Sequence, residues 1–164
     1  MAKKTTTAGG TPATVELTRR GFAFTVHAFE AAEPGSRGYG LEAAAHLGVD
    51  EDRVFKTLVA DADGELVVGI VPVSGQLDLH ALAGALGAKR AVMADPALAE
   101  KRTGYVRGGI SPIGQRSHHR TLLDETAVLF DTIFVSAGKR GLDLELAPDI
   151  LLTATGGAYA AIGR

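Results

Sequence analysis

Short apolar runs alternate with polar, glycine-rich breaks along the whole chain, and their spacing predicts strands interleaved with short helices. Residues 22–29 alternate in the way that is typical of half-buried strands, and residues 54–60 form a largely apolar run that predicts another strand. The turn Asp61-Ala62-Asp63-Gly64 is followed by a second apolar run over residues 65–73, which predicts a β-hairpin. Further strands are predicted at residues 91–93, 120–124, 131–136, 142–146 and 158–162.

Helix starts and stops are marked by capping residues. Thr11-Pro12 and Asp95-Pro96 combine a cap with a proline in the first turn, and Asp78 is a cap for a helix that continues through Leu86. Two more helices are predicted at residues 40–47 and after Pro148. Strands and helices that alternate in this way predict an α/β (α+β) fold: a single domain with a mixed, barrel-like β-sheet flanked by short helices.

Length and composition place the chain among ordinary globular domains. It has 164 residues, of which 46% are hydrophobic and 22% charged. We expect a flexible N-terminal tail over residues 1–12 and one domain over residues 13–164. The chain has neither the apolar core of a signal peptide nor an apolar run of roughly 20 residues, so we expect a cytoplasmic protein with no membrane partner.

The absence of cysteine excludes several kinds of chemistry together. Disulfides, thiolate zinc sites, iron–sulfur clusters and cysteine nucleophiles all require residues that this chain lacks. Tryptophan is also absent and aromatic residues make up 5%, so extensive base-stacking surfaces are not expected. His118 and His119 are adjacent and would point to opposite faces of a strand. We therefore expect no metal and no other cofactor.

Lys56 is the first candidate for chemistry. Alternation places it on one face of its strand with Val54 and Leu58, and neither face of that strand is polar. The simplest interpretation is a lysine near a strand end whose stem packs and whose charge reaches water. The functional interpretation is a cation lining a pocket for a carboxylate, an ester carbonyl or a phosphate.

Two glycine-containing segments are the other candidates. Residues 108–114, Gly-Gly-Ile-Ser-Pro-Ile-Gly, could bring backbone N–H donors close to an oxyanion, or could form a structural turn. Ser111 does not lie in a G-x-S-x-G elbow, so it is not predicted to be a nucleophile. Residues 136–143 link two strands through a Lys-Arg tip and lead to Asp143, an arrangement that an ordinary hairpin would also show.

Charge is distributed unevenly along the chain. Between Lys89 and Arg140 there are nine basic and five acidic residues, a balance of +4, although the whole chain carries a net charge of −2. Such a segment could face RNA, or could be a solvated surface without a partner.

Five stretches together resemble the YbaK-type Cys-tRNA(Pro) deacylases. The resemblance extends from about Thr14 to the C-terminus, and the motifs occur in the same order. The matching stretches are Val54-Phe55-Lys56-Thr57-Leu58 and residues 72–79, 93–96, 103–115 and 135–146.

The resemblance implies a free-standing relative of the editing insertion of bacterial prolyl-tRNA synthetases. Such proteins have a mixed α/β fold, use no metal, and clear cysteine from Cys-tRNA(Pro) in trans. The implied partners are that aminoacyl-tRNA, with Cys-tRNA(Cys) as a further substrate, and prolyl-tRNA synthetase in a transient complex. DNA is not an expected partner. Related editing domains clear alanine or serine, so one alternative is a deacylase of mischarged Ala- or Ser-tRNA. The other alternative is a non-catalytic module that binds tRNA or the synthetase.

The family's site residues can be carried over by position. The resemblance implies that Lys56 is catalytic. The implied substrate-binding residues are Phe29, Thr57, Gly108, Gly109, Ser111, Pro112, Ser136, Gly138 and Asp143. Phe29 departs from the pattern, since the family often has tyrosine at that position. Members of the family are thought to let the substrate's own thiol attack its carbonyl, which would leave the protein to supply the cavity, the lysine and the N–H groups of the loop.

Overall fold

The computed structural model of the protein describes residues 10–30 and 38–164. This part of the chain contains five α-helices and eight strands. The helices are α1 (Pro12–Arg19), α2 (Tyr39–Leu47), α3 (Leu79–Leu86), α4 (Pro96–Thr103) and α5 (Pro148–Thr155). The strands are β1 (Thr25–Ala28), β2 (Phe55–Ala62), β3 (Glu65–Pro72), β4 (Ala91–Met93), β5 (Arg120–Asp124), β6 (Ile133–Lys139), β7 (Leu142–Leu146) and β8 (Ala158–Ala160).

The strands form two sheets, and the mixed α/β architecture is confirmed. One sheet has the order β1-β7-β6 and is antiparallel, while the other has the order β4-β2-β3-β5-β8. In the second sheet β5 runs parallel to β3 and to β8, whereas β2 is antiparallel to β3 and β4. Within residues 10–30 and 38–164 both sheets are open, so the strands do not close into a barrel.

The two sheets meet where Val54, directly before β2, forms a parallel bridge with Phe134 of β6. The largest core cluster contains side chains from both sheets and from α1 and α5. Alternate residues of β3 divide between this core and a second one under α3: Val68 and Ile70 face the first, and Val67 and Val71 the second. The main buried side chains shared between the sheets are Phe55, Ile70, Leu123, Ile133, Val135, Leu144 and Leu146.

The capping signals correctly located the helix starts. The side chains of Thr11, Asp78 and Asp95 each accept a hydrogen bond from a backbone N–H in the first turn of α1, α3 and α4. Thr11 and Pro12 therefore belong to the folded part of the chain. Residues 1–9 of the expected tail and residues 31–37 lie outside the described residues.

Three predicted strand limits differ from the structure for identifiable reasons. The first predicted strand covers residues 22–29, but in the structure it begins at Thr25. Residues 22–24 form the exit from α1, because the Phe22 N–H bonds back to the Leu17 carbonyl. The last strand ends at Ala160, since the Ile162 N–H bonds to the carboxylate side chain of the buried Asp124 and not to a backbone carbonyl of β5. Strand β6 continues to Lys139 through a register shift after Ser136, which the alternation of side chains does not show.

No helix among the described residues is both long enough and apolar enough to cross a membrane.

The glycine-rich segment at residues 108–114 packs tightly against its neighbours. A Cβ on Gly109 would lie 2.9 Å from the Lys139 Cα and 3.1 Å from the Arg140 N, so this loop touches the backbone of the β6–β7 turn. The Tyr105 hydroxyl donates to the Ile113 carbonyl at 2.6 Å and holds the other end. The loop is therefore a rigid, closely packed wall.

Adding a methyl group at Gly109 is expected to destabilise the fold. Gly109→Ala would force two backbone segments apart, at about 1–3 kcal/mol of unfolding free energy. Gly84→Ala is the matched control, because Gly84 lies inside α3 with no atom within 4 Å of the added Cβ, and alanine there is expected to stabilise by about 0.5–1 kcal/mol. Urea unfolding measures both. Equal stability of the two variants would contradict the close packing of the loop.

Candidate functional site

A cavity of about 690 Å³ opens beside β2. Its walls come from residues 54–59, the loop after β3, the start of α2, part of α4, the β6–β7 hairpin, and Arg107, Gly108 and Ile110. Strand β4 pairs with β2 only over residues 60–62, and Val59 bonds Ala94 next to it. Among the described residues, 55–58 thus have a neighbouring strand, β3, on one side only. The cavity follows this unpaired edge.

The position of the edge explains why Lys56 and Thr57 both line the cavity. Their side chains alternate along the strand, as the sequence predicts, and would face opposite sides of a fully paired sheet. A cavity that runs along the strand edge is accessible to both. The Thr57 Oγ1 is buried and has no hydrogen-bond partner in the described structure.

Lys56 is half-buried in this cavity. It forms no hydrogen bond or ion pair with any described residue, and burial alone lowers the pKa of its ammonium group. A cation in this state has lost part of its hydration without gaining a protein anion. It would therefore gain from an anionic or strongly polarised ligand group.

Asp143 contributes the opposite charge from the three-stranded sheet. It lies on the central strand β7, opposite His27 of β1 and Ser136 of β6, and is 7% exposed. Burial raises the pKa of its carboxyl group from 3.8 to about 7. Since burial is the sole cause of both shifts, Lys56 and Asp143 line one cavity without forming an ion pair.

The predicted site residues divide into two groups in space. Six of them line the cavity, and four pack directly behind it. The lining residues are Phe29, Lys56, Thr57, Gly108, Ser136 and Asp143; the others are Gly109, Ser111, Pro112 and Gly138.

The four residues behind the cavity have structural contacts. Ser111 is fully buried, and its Oγ accepts a hydrogen bond from the Ile113 N–H at 3.3 Å. Pro112 faces a second cavity of about 420 Å³. A Cβ on Gly138 would lie 2.6 Å from the Tyr105 ring. Their predicted roles in binding are untested by these contacts.

Two features of the site lie on residues that were not predicted from the sequence to be catalytic or substrate-binding, although Arg107, Lys139 and Arg140 belong to the basic segment identified there. Arg107, Lys139 and Arg140 also line the cavity. The Gln115 amide donates from Nε2 to the Ser111 carbonyl at 2.9 Å, while its Oε1 lies 2.8 Å from the His119 Nδ1. The first bond orients the amide, so His119 must donate through Nδ1. The hydrogen bonds from His119 through Gln115 to Ser111 hold the loop at residues 108–114 from the side away from the cavity.

Phe29 has an aromatic neighbour, as its ring stacks on His46 with centroids 5.5 Å apart.

The described residues contain no group of three or more His, Asp or Glu side chains arranged to hold a metal ion.

A family model described as the aminoacyl-tRNA editing domain matches residues 36–154. The chain belongs to this family. EbsC of Enterococcus faecalis, a candidate Cys-tRNA(Pro)/Cys-tRNA(Cys) deacylase, is 44% identical to this editing domain over 120 residues, which is 73% of each chain. The resemblance drawn from the sequence motifs is thereby confirmed.

Two further relatives place the editing domain in context. The proline–tRNA ligase of Moorella thermoacetica is 35% identical over 85 residues, which is 52% of this chain and 15% of the ligase. The crystal structure of a candidate trans-editing enzyme for prolyl-tRNA synthetase matches with a TM-score of 0.81 and 24% identity, covering 93% of this chain and 95% of that one. This structural match confirms the fold.

The pH dependence of stability tests the burial of Asp143. Its folded-state pKa lies above the unfolded value, so its contribution to stability is greatest below about pH 4 and is lost as the pH rises through about 7. Asp143→Asn removes this loss, and the variant should gain on wild type by up to roughly 4 kcal/mol across that interval. Chemical unfolding from pH 4 to 8 measures the difference.

Asp131→Asn, at an exposed aspartate, is the control for losing one carboxylate. If the difference in unfolding free energy between the Asp143 variant and wild type stays constant from pH 4 to 8, the pKa of the Asp143 carboxyl is not raised by burial.

Proposed function

We propose that this editing domain is a trans-acting deacylase that removes cysteine from mischarged Cys-tRNA(Pro). The observation that carries the proposal is Lys56, a half-buried cation that pairs with none of the described residues and lines the cavity of an aminoacyl-tRNA editing domain. The similarity to EbsC, whose name carries both Cys-tRNA substrates, supports cysteine as the amino acid and Cys-tRNA(Cys) as a second substrate.

The substrate is already an activated ester, so the protein needs no nucleophile of its own. Positioning the ester and stabilising negative charge on its carbonyl oxygen supply much of the acceleration. Lys56 meets the second requirement, because its partly desolvated ammonium group interacts with a developing oxyanion more strongly than it would in water. Backbone N–H groups near Gly108 are the further donors of the proposed site.

The chemical step uses the thiol of the substrate. The sulfur attacks the ester carbonyl carbon, the bond from that carbon to the ribose oxygen breaks, and the thiol proton ends on the ribose hydroxyl. The products are a cyclic thiolactone and uncharged tRNA, and water enters only when the thiolactone later opens. No redox partner or cofactor is required.

Asp143 and Thr57 are the proposed contacts to the polar groups of the amino acid. The Asp143 carboxyl has no cation partner within residues 10–30 and 38–164, and the α-amino group of the substrate would supply one. The buried Thr57 hydroxyl has an unused hydrogen bond in the same cavity. Phe29 contributes shape alone, because its ring has no hydroxyl to donate.

A thiol requirement explains selectivity better than size does. Cysteine and alanine differ by one small group, which a pocket discriminates by only about 1–3 kcal/mol. Chemistry that needs the sulfur excludes alanine altogether. We place the activity beside prolyl-tRNA synthetase in the cytoplasm, where a transient complex would present mischarged tRNA to the domain.

Removing the charge of Lys56 is expected to abolish most of the activity. Lys56→Met keeps the apolar stem and removes the ammonium group, so the single-turnover rate of Cys-tRNA(Pro) deacylation should fall by about 10²–10³. Lys89→Met, at an exposed lysine outside the cavity, is the matched control. Wild-type rates in a folded Lys56 variant would refute the proposed role.

A panel of mischarged tRNAs tests both the substrate and the mechanism. Cys-tRNA(Pro) should be deacylated, while Ala-tRNA(Pro), Ser-tRNA(Pro) and Pro-tRNA(Pro) should remain intact, because none of them has a thiol. Comparable turnover of the alanyl or seryl ester would overturn the thiol-assisted route in favour of a broader deacylase. Binding of tRNA without turnover of any ester would favour the non-catalytic module.

A further inference from the structure

Not all of the nine basic residues between Lys89 and Arg140 are free to bind a partner. Arg120 pairs with Glu65 at 2.9 Å, and Arg140 lies 3.7 Å from Glu42. Lys89 and Arg90 have exposed side chains, but they lie in the connection between α3 and β4, where their backbone N–H groups bond to the Asp63 carboxylate at the tip of the β2–β3 hairpin. Five residues remain: Lys101, Arg102, Arg107, Arg116 and Lys139.

These five residues form one surface, which we call the basic rim. Residues 101–103 end helix α4, and the Arg116 backbone and guanidinium groups bond to the Thr103 and Lys101 carbonyls at 2.9 and 3.2 Å. The Arg107 N–H bonds to the Glu100 carboxylate at the same helix end. Lys139 joins the rim through the close contact between its backbone and Gly109.

The basic rim presents five exposed cations, and the Glu100 carboxylate beside them accepts a hydrogen bond from the Arg107 backbone N–H. All five side chains are exposed, and none forms an ion pair with a carboxylate among the described residues. The helix dipole stabilises positive charge at the C-terminus of α4, which explains the position of Lys101 and Arg102 but not that of the other three residues. Arg107 and Lys139 also line the cavity, so the rim begins at the cavity mouth and extends outward to α4.

We infer that the basic rim binds the phosphates of the 3′-terminal strand of the substrate tRNA; this inference rests on the proposed function. An amino acid inside the cavity is esterified to the terminal ribose, so the nearest phosphates must lie just outside the mouth. Arg107 and Lys139 are located there, and Lys101, Arg102 and Arg116 continue the same surface for the phosphates further along the strand. Contacts of this kind position the RNA without reading its sequence.

Two identical Lys-Arg dipeptides in the sequence allow a matched test of the rim. Lys101-Arg102 lies on it, and Lys89-Arg90 is the same dipeptide away from it. The variants Lys101→Gln/Arg102→Gln and Lys89→Gln/Arg90→Gln remove the same two charges from exposed positions. Affinity for uncharged tRNA(Pro) transcript, measured over a range of salt concentrations, compares them without requiring any catalytic activity.

The rim variant should bind the transcript at least tenfold more weakly at low salt than wild type. The slope of log affinity against log salt should become shallower by about 1.4–1.8, since two phosphate contacts are lost. The Lys89/Arg90 variant should keep the wild-type affinity and slope. Wild-type binding by the rim variant, or equal loss in both variants, would overturn the inference.

A second readout separates the rim from the catalytic site. Cysteinyl-adenosine carries the ester without any phosphate, so the Lys101/Arg102 variant should deacylate it at the wild-type rate while showing a raised KM for Cys-tRNA(Pro). Equal losses on both substrates would overturn the inference. If the wild-type protein deacylates neither substrate, the proposed function fails, and transcript binding still decides whether the rim binds RNA.

Discussion

Strand β2 is the element on which both sheets and the cavity depend. Its central hydrogen bonds join it to β3, while Val54 at its start bridges to Phe134 of the other sheet. At its far end β4 covers residues 60–62. Between these two attachments the strand keeps one edge unpaired, and the cavity occupies that edge. A longer β4 would complete the sheet and close the site.

The charges in the cavity oppose the stability of the fold. Desolvation disfavours the charged forms of both Lys56 and Asp143, and neither gains an ion-pair partner in the part of the chain that the structure describes. The core shared by the two sheets must offset this cost. Buried groups with perturbed pKa values that face a cavity are typical of functional sites, and a substrate that carries both an amino group and an ester carbonyl would partner both charges.

Rigid walls keep these groups in place. The glycine-rich loop touches the β6–β7 turn at Gly109, and the Gln115 and Tyr105 side chains hold its carbonyls from the side away from the cavity. A loop held at several points can present backbone donors without a further ordering cost when a ligand binds. The four predicted site residues that do not reach the cavity lie within or against this wall.

Much of the secondary structure could be predicted because its signals are local. Caps at Thr11, Asp78 and Asp95 satisfy N–H groups within three residues, and the β2–β3 hairpin follows from alternation and its turn. The errors at residues 22–24 and at the last strand have the opposite origin. There the backbone groups bond to partners that alternation does not show, Leu17 in one case and the distant Asp124 in the other.

The sequence by itself determined the family and the helix caps and made Lys56 a candidate for chemistry, because these depend on residue type and short spacing. It could not show that Lys56 and Thr57 share a cavity, since that follows from where β4 stops pairing with β2. Nor could it separate the paired basic residues from the free ones, because the partners of Arg120 and Arg140 are distant in the chain. Only the tertiary structure decided these points, as burial and pairing are set by contacts between segments that are far apart in sequence.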